Sequence, residues 1–393
     1  MSYALIVAIA RSPIGRFNGS LANIPATQLG AGVMDAALTR ATLPASAVNE
    51  VLLGNVLSAG LGQSPARQAA LAAGLPDSVA TQSINKVCGS GLQAVIHGAR
   101  MVSTREADFV LAGGMESMSQ APFMLKGART GLQTGNQMLV DSLIHDGLRD
   151  AKHDCHMGML AERCARHYRF SRMQQDEYAA ESFRRALRAQ QENFFAAELA
   201  SVATRGRKGE SLLITEDDGP ARADFARMPS LHPAFAEDGS ITAANASQLS
   251  DGAAALLLAN AESASALQSR PLARIVSWGT HACEAEWFTT APVGAIRRAL
   301  ARAQWSVDSV DLWEINEAFA VVPLAAMQEL GIAHDKLNVC GGAIALGHPL
   351  GASGARIVVT LVSALQRLGR QRGVAAICIG GGEALALCVE RCA

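Results

Sequence analysis

Aromatic residues are scarce in this chain, at 5% of 393 positions, and charged residues reach only 18%. Lys plus Arg (34) nearly cancels Asp plus Glu (35), and no basic block disturbs the balance, so a nucleic-acid partner has no electrostatic footing. No apolar run approaches the roughly 18–20 residues of a membrane-spanning helix, which argues against a membrane protein. The apolar opening from Met1 to Ala10 is short, lacks a basic leader and is cut off by Arg11-Ser12-Pro13, so it reads as a buried strand and not as a signal peptide. The eight cysteines, at 88, 155, 164, 283, 340, 378, 388 and 392, never form a C-x-x-C pair. That scatter excludes the usual zinc and redox motifs, and a disulfide framework does not suit so long a chain. No metal is expected, and the expected location is the cytoplasm.

Glycine is what the chain has in excess, at 36 residues, alongside 49% apolar residues. Such a composition packs backbones closely and builds many tight strand-to-helix turns. The length implies two or three domains. Residues 1–118 read as alternating strands and helices: a strand at Ala4–Ile9, a helix at Gln28–Arg40, a strand at Val51–Val56, a short helix at Ser64–Ala73, a helix after Cys88, and a strand at Ala107–Ala112 running into Gly113-Gly114-Met115-Glu116. That alternation implies an α/β fold with a sheet covered on both faces. From 119 to 248 charge rises and strand runs thin out. A capping box at Ser171–Gln174 opens a polar helix through about Phe194, expected to be solvated, and Glu216–Pro233 reads as an irregular loop. This segment reads as an insertion over the core. From 249 the first pattern returns.

The return is an internal repeat. Val48-Asn49-Glu50-Val51 is echoed by Val307-Asp308-Ser309-Val310, and Ser90-Gly91 by Ser353-Gly354, each pair expected to open a helix. Ala112–Glu116 is echoed by Ile379–Glu383. The offsets are 263 for the serines (353 − 90) and 267 for the glutamates (383 − 116). The expected division is therefore 1–118 with about 249–270 as one half, 119–248 as the insertion, and 271–393 as the second half.

The stretch Asn85-Lys86-Val87-Cys88-Gly89-Ser90-Gly91 places a thiol just before a helix start, where free backbone N–H groups and the dipole favour thiolate. A buried structural cysteine is the competing reading. Three more glycine-rich strand ends carry reactive side chains: Asn316-Glu317-Ala318-Phe319, the run Gly341–Gly354 around His348, and Cys378-Ile379-Gly380-Gly381-Gly382. Each alone is ambiguous, since Asn316 could be a helix cap and His348 a loop residue. Together they supply a nucleophile, a base, a second thiol and oxyanion donors, as acyl transfer coupled to carbon–carbon bond chemistry requires.

These four stretches, in this order and over nearly the whole chain, resemble the thiolase family. The resemblance implies a five-layered αβαβα fold built from two duplicated halves plus an inserted loop domain. It implies that Cys88 takes the acyl group, His348 activates it, and Cys378 is the acid/base thiol. It also implies that Asn316 holds a water which, with His348, stabilises one oxyanion, and that the amides of Cys88 and Gly380 form a second oxyanion hole. Coenzyme A and acyl-CoA are implied as substrates, with no tightly bound cofactor. Leu148, His156, Met157, Phe235 and Ser247 match positions along the pantetheine path, Ala318 and Phe319 the acyl pocket, and Arg222 could face the phosphate end. Phe288, in Trp287-Phe288-Thr289-Thr290-Ala291-Pro292, departs from the Met-Gly-x-Gly-Pro segment of many biosynthetic members and resembles the mitochondrial acetoacetyl-CoA type.

The activity implied is acetyl-CoA C-acetyltransferase. A longer-chain 3-ketoacyl-CoA thiolase of fatty-acid degradation is the alternative, followed by a ketoacyl-synthase-type enzyme, against which Cys378 argues, and a non-catalytic acyl-CoA-binding protein. The family is usually a homodimer or homotetramer, and the Lys126–Asp141 loop is a candidate tetramer contact.

Overall fold

The computed structural model describes residues 3–205, 209–267 and 269–392. Met1 and Ser2 of the apolar opening, and Gln268 within the 249–270 segment, lie outside the described residues. One long mixed sheet runs through the molecule. Its spatial order is Leu312–Ile315, Arg372–Ile379, Glu383–Arg391, Ala273–Ala282, Ala4–Arg11, Ser250–Ala259, Phe109–Ser117, Glu50–Gly54 and Ala80–Ile84.

The strand orientations repeat. Glu50–Gly54 lies parallel to Phe109–Ser117, which is antiparallel to Ser250–Ala259, itself antiparallel to Ala4–Arg11. Leu312–Ile315, Arg372–Ile379, Glu383–Arg391 and Ala273–Ala282 follow the same succession. The two halves join where Ala4–Ile6 pairs antiparallel with Ala273–Ile275.

Period-2 alternation then sorts side chains into layers. Leu52, Leu256 and Leu258 face a central layer, while Val51, Leu53 and Leu257 face outward under the Ala26–Ala41 helix through Leu29, Val33 and Ala37. In the second half Leu385 and Leu387 face the centre, and Ala384 and Ala386 pack under Ile296 and Ala299 of the Ala291–Ala303 helix. Both faces are buried, which is why these strands read as continuous apolar runs. The central layer is the pair of helices Ser90–Thr104 and Leu350–Arg367. They cross on glycine, because a Cβ at Gly354 would stand 2.4 Å from the Leu92 nitrogen. Five αβαβα layers result.

Three expectations are corrected. The strand after Ala107 does not stop at its glycines but spans Phe109–Ser117. A Cβ at Gly113 would lie 2.1 Å from the Ala254 carbonyl oxygen, and one at Gly114 would lie 2.0 Å from that of Gly351, so these glycines admit close neighbours and make no turn. The equivalent strands start 263 apart (372 − 109), matching the serine echo; the glutamate echo at 267 is four residues out of register. Ser353 is the fourth residue of its helix, which opens at Leu350, whereas Ser90 is the first of its own.

The third correction concerns the insertion. Its Arg172–Gln191 helix carries the capping box at Ser171, yet it is not solvated all round: Gln175, Tyr178, Ser182, Phe183 and Ala186 are buried. The Glu216–Pro233 loop is irregular but anchored, because Asp217 is buried against the Arg11 guanidinium, with oxygens 2.7 and 3.0 Å from Nη1 and Nη2.

Candidate active site

The nucleophile loop is shaped by its own polar groups. Val87 Nα donates to Asn85 Oδ1 (3.0 Å), and Ser90 Oγ accepts from Lys86 Nα (2.8 Å) while donating to the Val87 carbonyl (2.6 Å). These bonds hold Val87 at φ +46°, a left-handed conformation that a β-branched residue rarely adopts. Cys88 follows, half-buried, ahead of the helix opening at Ser90. The Gly380 amide stands close to the Cys88 sulfur and lowers the thiol, as does the residue's own amide. The expected helix-end activation does not win. Burial pushes the Cys88 thiol up to about 11, against the pull of those two amides and with a further push from Glu116.

Gly380 stands in the turn between Arg372–Ile379 and Glu383–Arg391, two residues after the buried Cys378. Burial raises the Cys378 thiol well above its ordinary range, and the neighbouring Cys88 raises it further. The structure thus brings both thiols and the Gly380 amide to one point.

His348 is buried just before the Leu350–Arg367 helix. Its Nδ1 lies 2.6 Å from Ser353 Oγ, which also bonds the Pro349 carbonyl at 2.9 Å. The serine has one hydroxyl hydrogen, and the carbonyl can only accept, so Nδ1 carries the imidazole proton and Nε2 is left as the acceptor. Nε2 faces Asn316 Nδ2 at 3.5 Å. Burial, reinforced by Arg356, lowers the His348 pKa to about 3, so the ring is neutral at physiological pH. Asn316 does not cap a helix. It ends the Leu312–Ile315 strand, bonding Ala376 O at 2.9 Å, and the following helix begins only at Val321. Its Oδ1 is buried without a hydrogen-bond partner among the described residues.

Two buried carboxylates brace this corner. Glu116 accepts backbone N–H bonds from Val56, Leu57 and Gly351 at 2.8–3.1 Å, tying the first half to the turn after His348; burial still pushes it up to about 7. Glu317 accepts from Tyr178 Oη (2.9 Å), Ser182 Oγ (2.8 Å), Asn338 Nδ2 (2.8 Å) and Ile344 Nα (3.1 Å). Neither acid, nor Ser353 as the partner of His348, was singled out as a site residue from the sequence. For the two acids, spacing along the chain gives no sign of partners as remote as Gly351 or Tyr178; Ser353 is five residues from His348 but was read only as a helix start.

A cavity of about 470 Å³ lies on the insertion side. Of the residues expected along the coenzyme path, Leu148, His156, Arg222, Phe235, Ser247 and Phe319 line it. The other three stand behind it. Met157 is buried with its methyl end toward Gly380, Ala318 accepts the Ser247 N–H at 3.0 Å, and Phe288 packs edge-on against Phe319 with centroids 6.3 Å apart. His156 stacks on Phe235 at 4.7 Å, and its Nδ1 caps the Met157–Tyr168 helix by accepting from Gly158 Nα. The wall also contains Arg16, Phe17, Gln248 and Leu249, which the sequence reading missed.

Comparison with known proteins places the whole chain. The thiolase N-terminal domain matches residues 4–262 and the thiolase C-terminal domain residues 269–391. The chain is 49% identical over 387 residues to acetyl-CoA acetyltransferase 2 of Arabidopsis thaliana, covering 98% of this chain and 96% of that protein. It is 48% identical over 392 residues to acetyl-CoA acetyltransferase of Pseudomonas aeruginosa, end to end in both. A crystal structure of a thiolase from Ascaris suum in complex with coenzyme A superposes with a TM-score of 0.94 at 43% identity, covering 99% of this chain and 100% of that one. The protein is an acyl-transferring enzyme with a duplicated α/β fold. It belongs to the thiolase family.

Proposed function

We propose that this chain is an acetyl-CoA C-acetyltransferase, condensing two acetyl-CoA or cleaving acetoacetyl-CoA through an acyl-cysteine. The observation that carries this reading is the juxtaposition of the Cys88 loop with the Cys378–Gly380 turn, where Ile379 packs on Gly89 and Val87 lies beside Gly380. Relatives named acetyl-CoA acetyltransferase match along the full length.

Cys88 rests as a neutral thiol. As its sulfur attacks the acetyl-CoA carbonyl, its proton passes to Nε2 of His348, the ring nitrogen left bare by Ser353. The tetrahedral oxyanion is held by N–H donors, and its collapse expels the coenzyme A thiolate, which takes the proton back from His348 and leaves acetyl-Cys88. Cys378 rests as a thiol because burial raises it, and it gives its proton up to solvent before removing one from the methyl carbon of a second acetyl-CoA. The carbanion attacks the acetyl-Cys88 carbonyl, the bond to sulfur breaks, the Cys88 thiolate takes up the proton that Cys378 removed, and acetoacetyl-CoA departs. The Cys88 and Gly380 amides serve the oxyanion on the acyl-cysteine. Asn316, through a held water and with His348, serves the substrate thioester.

The cavity accommodates the pantetheine arm along Leu148, His156, Phe235 and Ser247, with Arg16 and Arg222 on its wall to meet phosphate charge. Phe288 and Phe319 crowd the acyl end, which favours short acyl groups over the longer 3-ketoacyl chains of fatty-acid degradation. The eight free thiols suit a cytoplasmic enzyme. A homodimer, or a homotetramer formed through the Lys126–Asp141 loop where Leu132, Met138 and Leu139 are exposed, is part of the same reading and is checked by light scattering.

The test is loss of enol absorbance from acetoacetyl-CoA with coenzyme A, and an acetyl adduct on Cys88 by intact mass. If Cys88→Ala kept most of the activity, the assignment would be wrong. A kcat/KM series across chain length that favoured six or more acyl carbons would displace the short-chain reading.

A further inference from the structure

We propose that Lys86 and Glu383 act as a strap between the two halves, positioning the Gly380 amide against the Cys88 sulfur. Their side chains form an ion pair between Nζ and Oε2. Lys86 stands two residues before Cys88, in the first half. Glu383 stands three residues after Gly380, in the second.

The turn that carries the Gly380 amide is tied at its far end, where the Cys283 N–H donates to the Gly382 carbonyl at 2.8 Å, but it has no side chain of its own to fix Gly380. Residues 380–382 are all glycine, with Gly381 and Gly382 both at φ +88°, so no side chain of the turn packs against anything. A fixed donor is needed at just this place, because a misplacement of about 1 Å in such a site costs on the order of a hundredfold in rate. The Cys88 loop grips the turn at both ends. At the near end Ile379 lies on Gly89, where a Cβ would come within 2.4 Å of Ile379 Cδ1. At the far end Glu383, the first side chain after the glycines, meets Lys86. The loop itself is strained at Val87, so it too gains from an external anchor.

The pair is 24% and 38% exposed, and exposed ion pairs add little to folding stability. Its removal therefore leaves a folded protein, and any loss of rate reports geometry. Lys86 lines neither the cavity of the coenzyme path nor the contacts of His348. It is a positioning residue, as is Glu383.

This inference rests on the thiolase reading of Cys88, whose own failure would appear separately as activity surviving Cys88→Ala. The test compares Lys86→Met, Glu383→Gln and the double variant in acetoacetyl-CoA thiolysis, alongside thermal melting and the single-turnover rate of Cys88 acetylation by acetyl-CoA. Each single variant should lower kcat and the acetylation rate by about tenfold, less than the hundred- to thousandfold lost when an oxyanion donor is deleted. KM for coenzyme A and the melting midpoint should stay near wild type, and the double variant should be no slower than the slower single. Unchanged kcat overturns the proposal. So does a raised KM at constant kcat, which would make Lys86 a steering charge for the anionic substrate. Losses that multiply in the double variant overturn it too, because they mean the two residues act independently.

Discussion

Ser353 Oγ lies 2.6 Å from His348 Nδ1 while its own hydrogen is committed to the Pro349 carbonyl. One hydroxyl, five residues along the chain, thus decides which ring nitrogen of the base is bare. Ser353→Ala should leave the Nδ1 proton unpartnered in a buried site, a cost of about 1–3 kcal/mol. The ring would then populate both tautomers or turn. Steady-state thiolysis should show kcat down by roughly 10- to 100-fold, with KM for coenzyme A little changed. Wild-type kcat in that variant would remove Ser353 from the account of the base.

A second expectation concerns pH. Burial holds the Cys88 thiol up near about 11, and His348, lowered to about 3, cannot share an ion pair with it at neutral pH. The thiolate fraction of free enzyme should then rise about tenfold per pH unit from 7 to 10. Iodoacetamide alkylation of Cys88, followed by mass spectrometry in a Cys378→Ala background, should climb through pH 8.5 without levelling. A plateau below pH 8 would mean that the amides of Gly380 and Cys88 outweigh burial.

Arg11 is fully buried between Glu198 and Asp217 and stacks over Phe195, with its guanidinium 4.7 Å from the ring centroid. It fastens the first strand to the insertion. Arg11→Met strands two buried carboxylates, and breaking such a pair costs about 3–5 kcal/mol. Urea unfolding should show that loss, and adding Glu198→Gln with Asp217→Asn should recover much of it. A single variant as stable as wild type would sink the argument.

Two glycines should answer alanine in opposite ways. At Gly114 the new Cβ would meet the Gly351 carbonyl at 2.0 Å, forcing the Leu350–Arg367 helix away from the sheet beside His348. Loss of soluble protein or of activity is expected. Gly32, exposed in the Ala26–Ala41 helix with nothing within 4 Å of its Cβ position, should gain about 0.5–1 kcal/mol as alanine. Thermal melts of the two variants check both signs.

What the sequence made legible follows the physics of each element. Strands such as Val51–Leu53 announce themselves because both faces are apolar, and the central helices because Leu92, Val95, Ile96 and Ala99 recur at helical spacing. Cys88, Asn316, His348 and Cys378 stood out by their glycine surroundings and by likeness to a family. Gly113 and Gly114 misled, since glycine signals a turn and a crowded neighbour equally, and the Ala254 and Gly351 carbonyls that crowd them are remote in sequence. The Arg172–Gln191 helix misled for a related reason. Tyr178 and Ser182 look solvated until Glu317, 135 or more positions away, is seen to need their hydroxyls. Polar burial is a property of pairs, and a single stretch shows only one partner.

The placing of the first strand has a consequence for synthesis. Apart from a single bridge from Arg11 to Leu199, Ala4–Arg11 finds its sheet neighbours among the described residues in Ser250–Ala259 and Ala273–Ala282, so 238 residues intervene before the nearer of these strands begins (250 − 11 − 1). At a translation rate of about 5–20 residues per second, Ala4–Ala10 waits roughly 10–50 s without a strand on either edge. During that wait it is a template for wrong pairing, in its own chain or another. The duplicated half that follows cannot rescue it early, because its contribution starts at Ala273. A newly made chain therefore gains from being shielded until about two thirds of it has left the ribosome.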